Sequence, residues 1–204
     1  MLTQPSIYVQ LFFSCVKKCV YPFYLQPIKE VYAMAQVTFK STPLHTSGSL
    51  PQKGSRAADF TLIDSNLKEV SLYKDFRGKK KILSIVPSLD TAVCSLSAKK
   101  FNTAIKDHPE VQVLVISADL PFAQNRVCTQ EGLQNITTLS LMRSKDFAEE
   151  YGVLIQDGPL AGLCARAVIV LDQDNRVLYT QLVPEITQEP DYDKALEALL
   201  GEDT

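Results

Sequence analysis

One pattern limits this chain more than any other. Two apolar runs, residues 81–86 and Val111–Ser117, flank a helix-length amphipathic stretch. In the first run Ile82, Leu83, Ile85 and Val86 read as a buried strand. In the stretch 92–107, Val93, Leu96, Phe101, Ala104 and Ile105 fall on about half the circumference of a helix of roughly 3.6 residues per turn. Strand, helix and strand in this order imply an α/β layer.

The pattern continues along the chain. Residues 121–130 read as a second helix, Ile136–Ser140 as a weaker strand, and 144–151 as a helix capped by Ser144. Ala167–Leu171 and Val177–Leu182 are strands joined by a tight turn around Asp174 and Asn175, and 191–200 closes the chain as an amphipathic helix. Nearer the start, residues 36–40 alternate, with Val37 and Phe39 on one side, and turn at 41–43 so that Leu44 returns as a hairpin. Short strands are expected at 60–63 and 69–72. The sum is an α/β chain with a mixed central β-sheet flanked by helices and an N-terminal β-hairpin. This order is the one a thioredoxin-like fold requires.

The 204 residues suit one ordinary domain with a sizeable core. Lys and Arg total 21 against 23 Asp and Glu, a net charge of −2, so the basic footprint of a nucleic-acid binder is missing. Small molecules or proteins are the expected partners. Five cysteines at 15, 19, 94, 128 and 164 are too few and too widely spaced for a disulfide-stapled secreted miniprotein. They fit a reducing compartment, and a cytoplasmic location is expected, with the periplasm as the alternative.

Residues 1–33 stand apart, rich in aromatic residues and without a clear period. A secretory signal needs positive charge before its apolar stretch, whereas here Lys17 and Lys18 follow it. The apolar run 7–16 is also shorter than the roughly 20 residues a membrane span needs. The segment therefore reads as a loosely ordered extension or a stretch upstream of a start at Met34. Residues 34–204 read as the folded domain, with no stable membrane span.

Chemistry concentrates at Val86-Pro87-Ser88-Leu89-Asp90-Thr91-Ala92-Val93-Cys94. The segment leaves a buried strand, turns at Pro87 and enters a helix near Thr91, placing Cys94 in the first helical turn. Backbone amides there lack intrahelical partners, and the helix dipole adds partial positive charge. Both favour thiolate, the nucleophilic form. Thr91, one turn before Cys94, is expected to bring its hydroxyl near the sulfur, while Pro87 restricts the loop and shields it. Taken singly, Cys94 is equally readable as a small buried hydrophobe, and Thr91 as a plain helix cap.

The combination Pro-x-x-x-Thr-x-x-Cys after an apolar strand resembles the peroxidatic signature of the peroxiredoxins. Three further blocks resemble their bacterial thiol peroxidase subfamily. They are Ser117-Ala118-Asp119-Leu120-Pro121-Phe122-Ala123-Gln124 running on to Arg126 and Cys128, then Gly158-Pro159-Leu160-Ala161-Gly162-Leu163 with Ala165-Arg166-Ala167-Val168, and Leu182-Val183-Pro184-Glu185-Ile186-Thr187 with Glu189-Pro190-Asp191-Tyr192. The similarity runs from about Met34 to Leu200. Ala92 departs from the glycine expected there, a small change.

This resemblance implies a single-domain thioredoxin-fold enzyme that reduces hydrogen peroxide and organic hydroperoxides, the latter by preference. It implies that Cys94 is the peroxidatic cysteine and Cys128 the resolving one, pairing as an intramolecular Cys94–Cys128 disulfide. It further implies that Arg166 is the active-site arginine, that thioredoxin supplies electrons, and that the protein forms a homodimer. A disulfide needs Cα atoms roughly 4.4–6.8 Å apart. Two cysteines on separate helices are expected to start farther apart, so a helical turn around one or both unwinds in the cycle. Whether the two helices share a face of the sheet stays open at this stage.

The remaining candidates read blandly. Cys164 is expected to be a buried core residue, and Cys15 and Cys19 lack the further ligands of a zinc site. His45 and His108 sit in polar loops, and Lys79-Lys80-Lys81 reads as a solvated turn. No metal or cofactor is expected. Two other functions compete: a disulfide oxidoreductase, disfavoured because its C-x-x-C pair is absent, and a non-catalytic redox sensor or holdase using the same two cysteines.

Overall fold

The computed structural model describes residues 34–201. The expectations for residues 1–33, with Cys15 and Cys19, lie outside the described residues. At the centre is a seven-stranded mixed sheet in the order β4-β3-β7-β6-β5-β8-β9. Its middle is β5 (Lys80–Ile85), β6 (Val111–Ser117) and β7 (Ile136–Ser140), all parallel. β8 (Ala167–Leu171) runs antiparallel to β5, and β9 (Val177–Leu182) antiparallel to β8. On the other flank β3 (Thr61–Ile63) pairs antiparallel with β7 and with β4 (Glu69–Ser71).

Strand alternation sends successive residues to opposite faces, and each face carries its own core. Ile82, Val113, Val115, Val168 and Val170 meet α2 (Ala92–Ala104), α3 (Pro121–Glu131) and α5 (Tyr192–Leu200). Leu83, Ile85, Leu114, Ile116, Ile169 and Leu171 meet α1 (Leu72–Asp75), α4 (Asp146–Glu150) and the stacked Phe147 and Tyr151 rings. The crossovers β5–α2–β6 and β6–α3–β7 step the same way across the sheet. With the usual right hand both helices belong on one face, which settles the question the sequence left open.

A separate two-stranded sheet is formed by β1 (Gln36–Phe39) and β2 (Thr42–His45), the expected N-terminal hairpin. Its turn residues Lys40 and Ser41 both have positive φ, 51° and 67°, the conformation a two-residue hairpin loop demands. Val37 and Leu44 bury against Ile155, Ala165 and Ile186.

Several expectations need correction. Lys79–Lys81 is not a solvated turn: Lys80 opens β5, and Lys80 and Lys81 are both buried. The Lys81 Nζ donates to Asn175 Oδ1 at 2.5 Å and to the Asp172 carbonyl at 3.2 Å, in the β8–β9 turn. Burial lowers its pKa to about 8, against the smaller opposing pull of Asp172 and Asp174. On α2 the buried face is Cys94, Ser97, Ala98 and Phe101, while Leu96 is exposed. The helix also ends at Ala104 rather than 107. The 144–151 helix shortens to α4, although the Ser144 hydroxyl still accepts from the Asp146 amide at 3.0 Å. Leu72 begins the short α1 instead of ending a strand. Among the described residues no helix is long and apolar enough to cross a membrane.

Candidate active site

The site lies where β5 gives way to α2. Val86 still donates its amide to Ile116, and Pro87, itself buried, then turns the chain. The Leu89 amide donates to Asp119 Oδ2 at 2.6 Å, and Ser117 Oγ donates to the same oxygen at 2.7 Å. The carboxylate at the end of β6 thus holds the loop at the end of β5. Gln124 supports it from α3, donating to Ser117 Oγ at 2.9 Å and to the Leu139 carbonyl at 3.0 Å.

Thr91 is the N-cap residue of α2, in extended conformation, but its side chain makes no capping bond to the helix amides. Its hydroxyl instead donates back to the Ser88 carbonyl at 3.1 Å. The first-turn amides of α2 therefore keep their donor capacity for an anion nearby. Cys94 occupies the third position of the helix and is 1 % exposed.

Arg166 reaches this sulfur from just before β8. Its Nη2 lies 3.4 Å from Cys94 Sγ, and its Nε donates to the Ile186 carbonyl at 3.0 Å. The residue is 3 % exposed, and Nη1 has no partner among the described residues. A buried donor without a partner costs about 1–3 kcal/mol, so it marks a group held ready for something that binds. A guanidinium stays charged and offers planar, directional donors. Together with the helix start it stabilises negative charge on the sulfur or on an oxygen beside it.

Cys128 lies on α3, partly buried against the cluster that contains Cys94. Burial pushes its thiol above the ordinary range, offset in part by a hydrogen bond with Thr138. Cys94, Cys128 and Cys164 are all free thiols. α3 is stapled on its exposed side to α2 and to the loop just before it. Arg126 on α3 pairs with Asp90 at 2.8 Å, and Lys99 on α2 with Glu131 at 2.5 Å. Between the staples lies a cleft of about 330 Å³, lined in part by Thr91, Ser95, Leu96, Val127 and Gln130.

Of the residues singled out from sequence, the structure brings Cys94 and Arg166 into contact. It places Pro87 and Thr91 in the loop ahead of Cys94, and Cys128 on the neighbouring helix. The Thr91 hydroxyl is directed to the Ser88 carbonyl rather than the sulfur. Cys164 is fully buried in the cluster on the opposite face, where burial pushes its pKa to about 12. His45 and His108 are partly exposed and bound to neighbouring carboxylates, Asp157 at 2.6 Å and Glu110 at 3.1 Å. Asp119, Gln124 and the Ile186 carbonyl carry scaffold roles that sequence reasoning missed. Asp119, Gln124 and Ile186 stood inside the matched blocks, but nothing local indicated their partners.

The chain matches the model of the Redoxin family over residues 52–196. It is 50 % identical over 166 residues to a thiol peroxidase of Corynebacterium glutamicum, covering 81 % of this chain and 99 % of the relative. A thiol peroxidase of Leptospira interrogans is 49 % identical over 167 residues, covering 81 % and 97 %. Among solved structures, a peroxiredoxin-like protein from Aquifex aeolicus superposes with a TM-score of 0.76 at 41 % identity, covering 81 % of this chain and 96 % of that one. A thiol peroxidase from Chromobacterium violaceum gives 0.76 at 30 % identity, covering 82 % and 95 %.

Proposed function

The chain belongs to the Redoxin family, in its bacterial thiol peroxidase branch, and from that premise we propose that it reduces hydroperoxides through Cys94 and recycles through Cys128. The observation that carries this reading is the 3.4 Å approach of Arg166 Nη2 to Cys94 Sγ at the uncapped start of α2.

The Cys94 thiolate attacks the nearer peroxide oxygen. An S–O bond forms as the O–O bond breaks. The sulfur is oxidised to sulfenic acid, and the departing oxygen takes a proton to leave as water or an alcohol. Negative charge spreads over the sulfur and both oxygens in the transition state. Fixed donors that need no reorientation serve it best, and the free Nη1 of Arg166 and the first-turn amides are such donors. Pro87 keeps the loop ordered and the sulfur dry.

Cys128 then attacks the sulfenic sulfur as thiolate. The S–S bond forms, the S–O bond breaks, and the oxygen leaves with a proton as water. α2 and α3 lie side by side on one face, so the path between the cysteines does not cross the sheet. A turn at the start of α2, around Cys128, or both, unwinds to close the bond. A dithiol reductant supplies two electrons to reopen it, and thioredoxin is the proposed donor. Organic hydroperoxides are the proposed preferred substrates, in a cytoplasmic homodimer serving antioxidant defence.

A coupled assay tests this: the protein with thioredoxin, thioredoxin reductase and NADPH consumes NADPH only when hydroperoxide is added. Stoichiometric oxidation without turnover would instead indicate a redox sensor or holdase.

A further inference from the structure

The Arg166 guanidinium is aimed by the Ile186 carbonyl, and that carbonyl is itself held from outside the site. Residue 185, next in the chain, is the attachment point. Glu185 Oε2 accepts from Thr38 Oγ1 at 2.8 Å and the Ser41 amide at 3.1 Å. Its Oε1 accepts from the Lys40 amide at 3.1 Å, and from the Thr187 amide and hydroxyl at 3.1 and 2.7 Å. These bonds hold its carboxyl down to about 2, the Thr187 hydroxyl contributing most.

Two features make this more than a surface contact. Lys40 and Ser41 are the positive-φ residues of the β1–β2 turn, and such a turn points its amides together, as an anion-binding nest does. Glu185 fills that nest. The backbone then continues the attachment on either side: the Thr38 amide donates to the Pro184 carbonyl at 2.7 Å, and the Ile186 amide to the Thr38 carbonyl at 2.8 Å. Beneath it, Val37 of the hairpin packs in one cluster with Ile186 and with Ala165, the neighbour of Arg166.

We propose that Glu185 is a positioning residue for the peroxide reaction, clamping the N-terminal hairpin onto the carbonyl that orients Arg166 toward Cys94. The chain of contacts runs from the hairpin turn through Glu185, the Ile186 carbonyl and Arg166 to Cys94 Sγ. Two strands that precede Cys94 by some fifty positions thereby belong to its active site. The proposal rests on the peroxidase reading above.

The test uses the full chain with Glu185→Ala, Glu185→Gln, Thr38→Val, Arg166→Ala and the double variant Glu185→Ala/Arg166→Ala. Two quantities are read for each: the single-turnover rate of Cys94 oxidation by hydrogen peroxide, and the pH profile of Cys94 alkylation. Glu185→Ala is expected to slow oxidation about ten-fold and to move the alkylation profile to higher pH, because a displaced guanidinium no longer favours the anion. Glu185→Gln retains one acceptor oxygen and falls between. In the Arg166→Ala background the Glu185 change is expected to add nothing, as for two residues acting through one contact.

An unaltered rate and profile in Glu185→Ala, or an undiminished further loss in the Arg166→Ala background, overturns the proposal. Should Glu185→Ala fail to fold, Thr38→Val decides, since it removes one of the clamping bonds: a smaller shift in the same direction supports the proposal and none overturns it. A native protein whose Cys94 does not react with peroxide refutes the peroxidase reading instead. A purely structural role would lower the melting temperature but leave the alkylation profile in place.

Discussion

The Leu89 amide and the Asp119 carboxylate, 2.6 Å apart, tie the loop that delivers Cys94 to the end of the neighbouring strand β6. This bond fixes where α2 begins, and with it the position of the sulfur relative to Arg166.

Asp119→Ala removes the acceptor for both Leu89 and Ser117. The loop gains freedom, and Cys94 spends less time against Arg166. Stopped-flow measurement is expected to show peroxide oxidation slowed about ten-fold, or ~1.4 kcal/mol in barrier height. Asp119→Asn, which keeps one acceptor oxygen, is expected to lose less.

The two cysteines separate cleanly by variant. Cys94→Ser is expected to abolish peroxide consumption. Cys128→Ser is expected to permit one oxidation, trapped as a sulfenic-acid adduct by mass spectrometry, and then to lose thioredoxin-driven recycling. Crystals of the reduced and oxidised protein are expected to differ in the Cys94–Cys128 Cα distance, and equal distances would count against unwinding of a helical turn.

Lys81 makes a pH-dependent contribution to stability of unusual sign. Its pKa is about 8 in the fold against 10.5 for the free side chain, because burial penalises the charged form. Below pH 8 both states carry the proton and the penalty is fully present. Between about 8 and 10.5 the unfolded chain holds more protons than the folded one, so this contribution rises with pH, by at most about 3 kcal/mol. Lys81→Met is expected to remove that rise. Denaturant titrations of both proteins across this window check it, the difference between them being the quantity that changes slope.

Gly152 ends the α4 region with φ of +66°, and a Cβ there would run into the backbone of Gly48 and Ser49. Neither neighbour is the end of a flexible side chain. Gly152→Ala is expected to destabilise the fold by at least about 2 kcal/mol. A thermal melt would show it as a fall of roughly 5 °C or more.

Much of the sheet was legible because its strands are apolar runs with polar ends. The limits of β6, β7, β8 and β9 follow directly from Val111–Ser117, Ile136–Ser140, Ala167–Leu171 and Val177–Leu182. Lys80 and Lys81 were misread because their partners are distant in sequence: the Lys81 Nζ meets Asn175 in the β8–β9 turn, and the Lys80 Nζ donates to the Leu199 carbonyl at the end of α5. The face of α2 was misjudged for another reason. The helix buries Cys94 and Ser97, which a count of large apolar residues passes over, and turns Leu96 outward. The placement of Cys94 in the first turn of α2 was legible from a strand, a proline turn and a helix start, all local in sequence, whereas its chemical role was read from the family resemblance. The scaffolding by Asp119 and by the 184–186 segment was not, since hydrogen bonds between distant loops leave no periodicity.

The central sheet also acts as a partition between thiols. Cys94 and Cys128 lie on one side of it, and Cys164 is sealed within the other. Cys94 and Cys164 belong to separate buried clusters, one on each face. Among the described cysteines, Cys128 is therefore the one that shares a face with Cys94, while Cys164 is both set apart from it and held as a thiol by its burial.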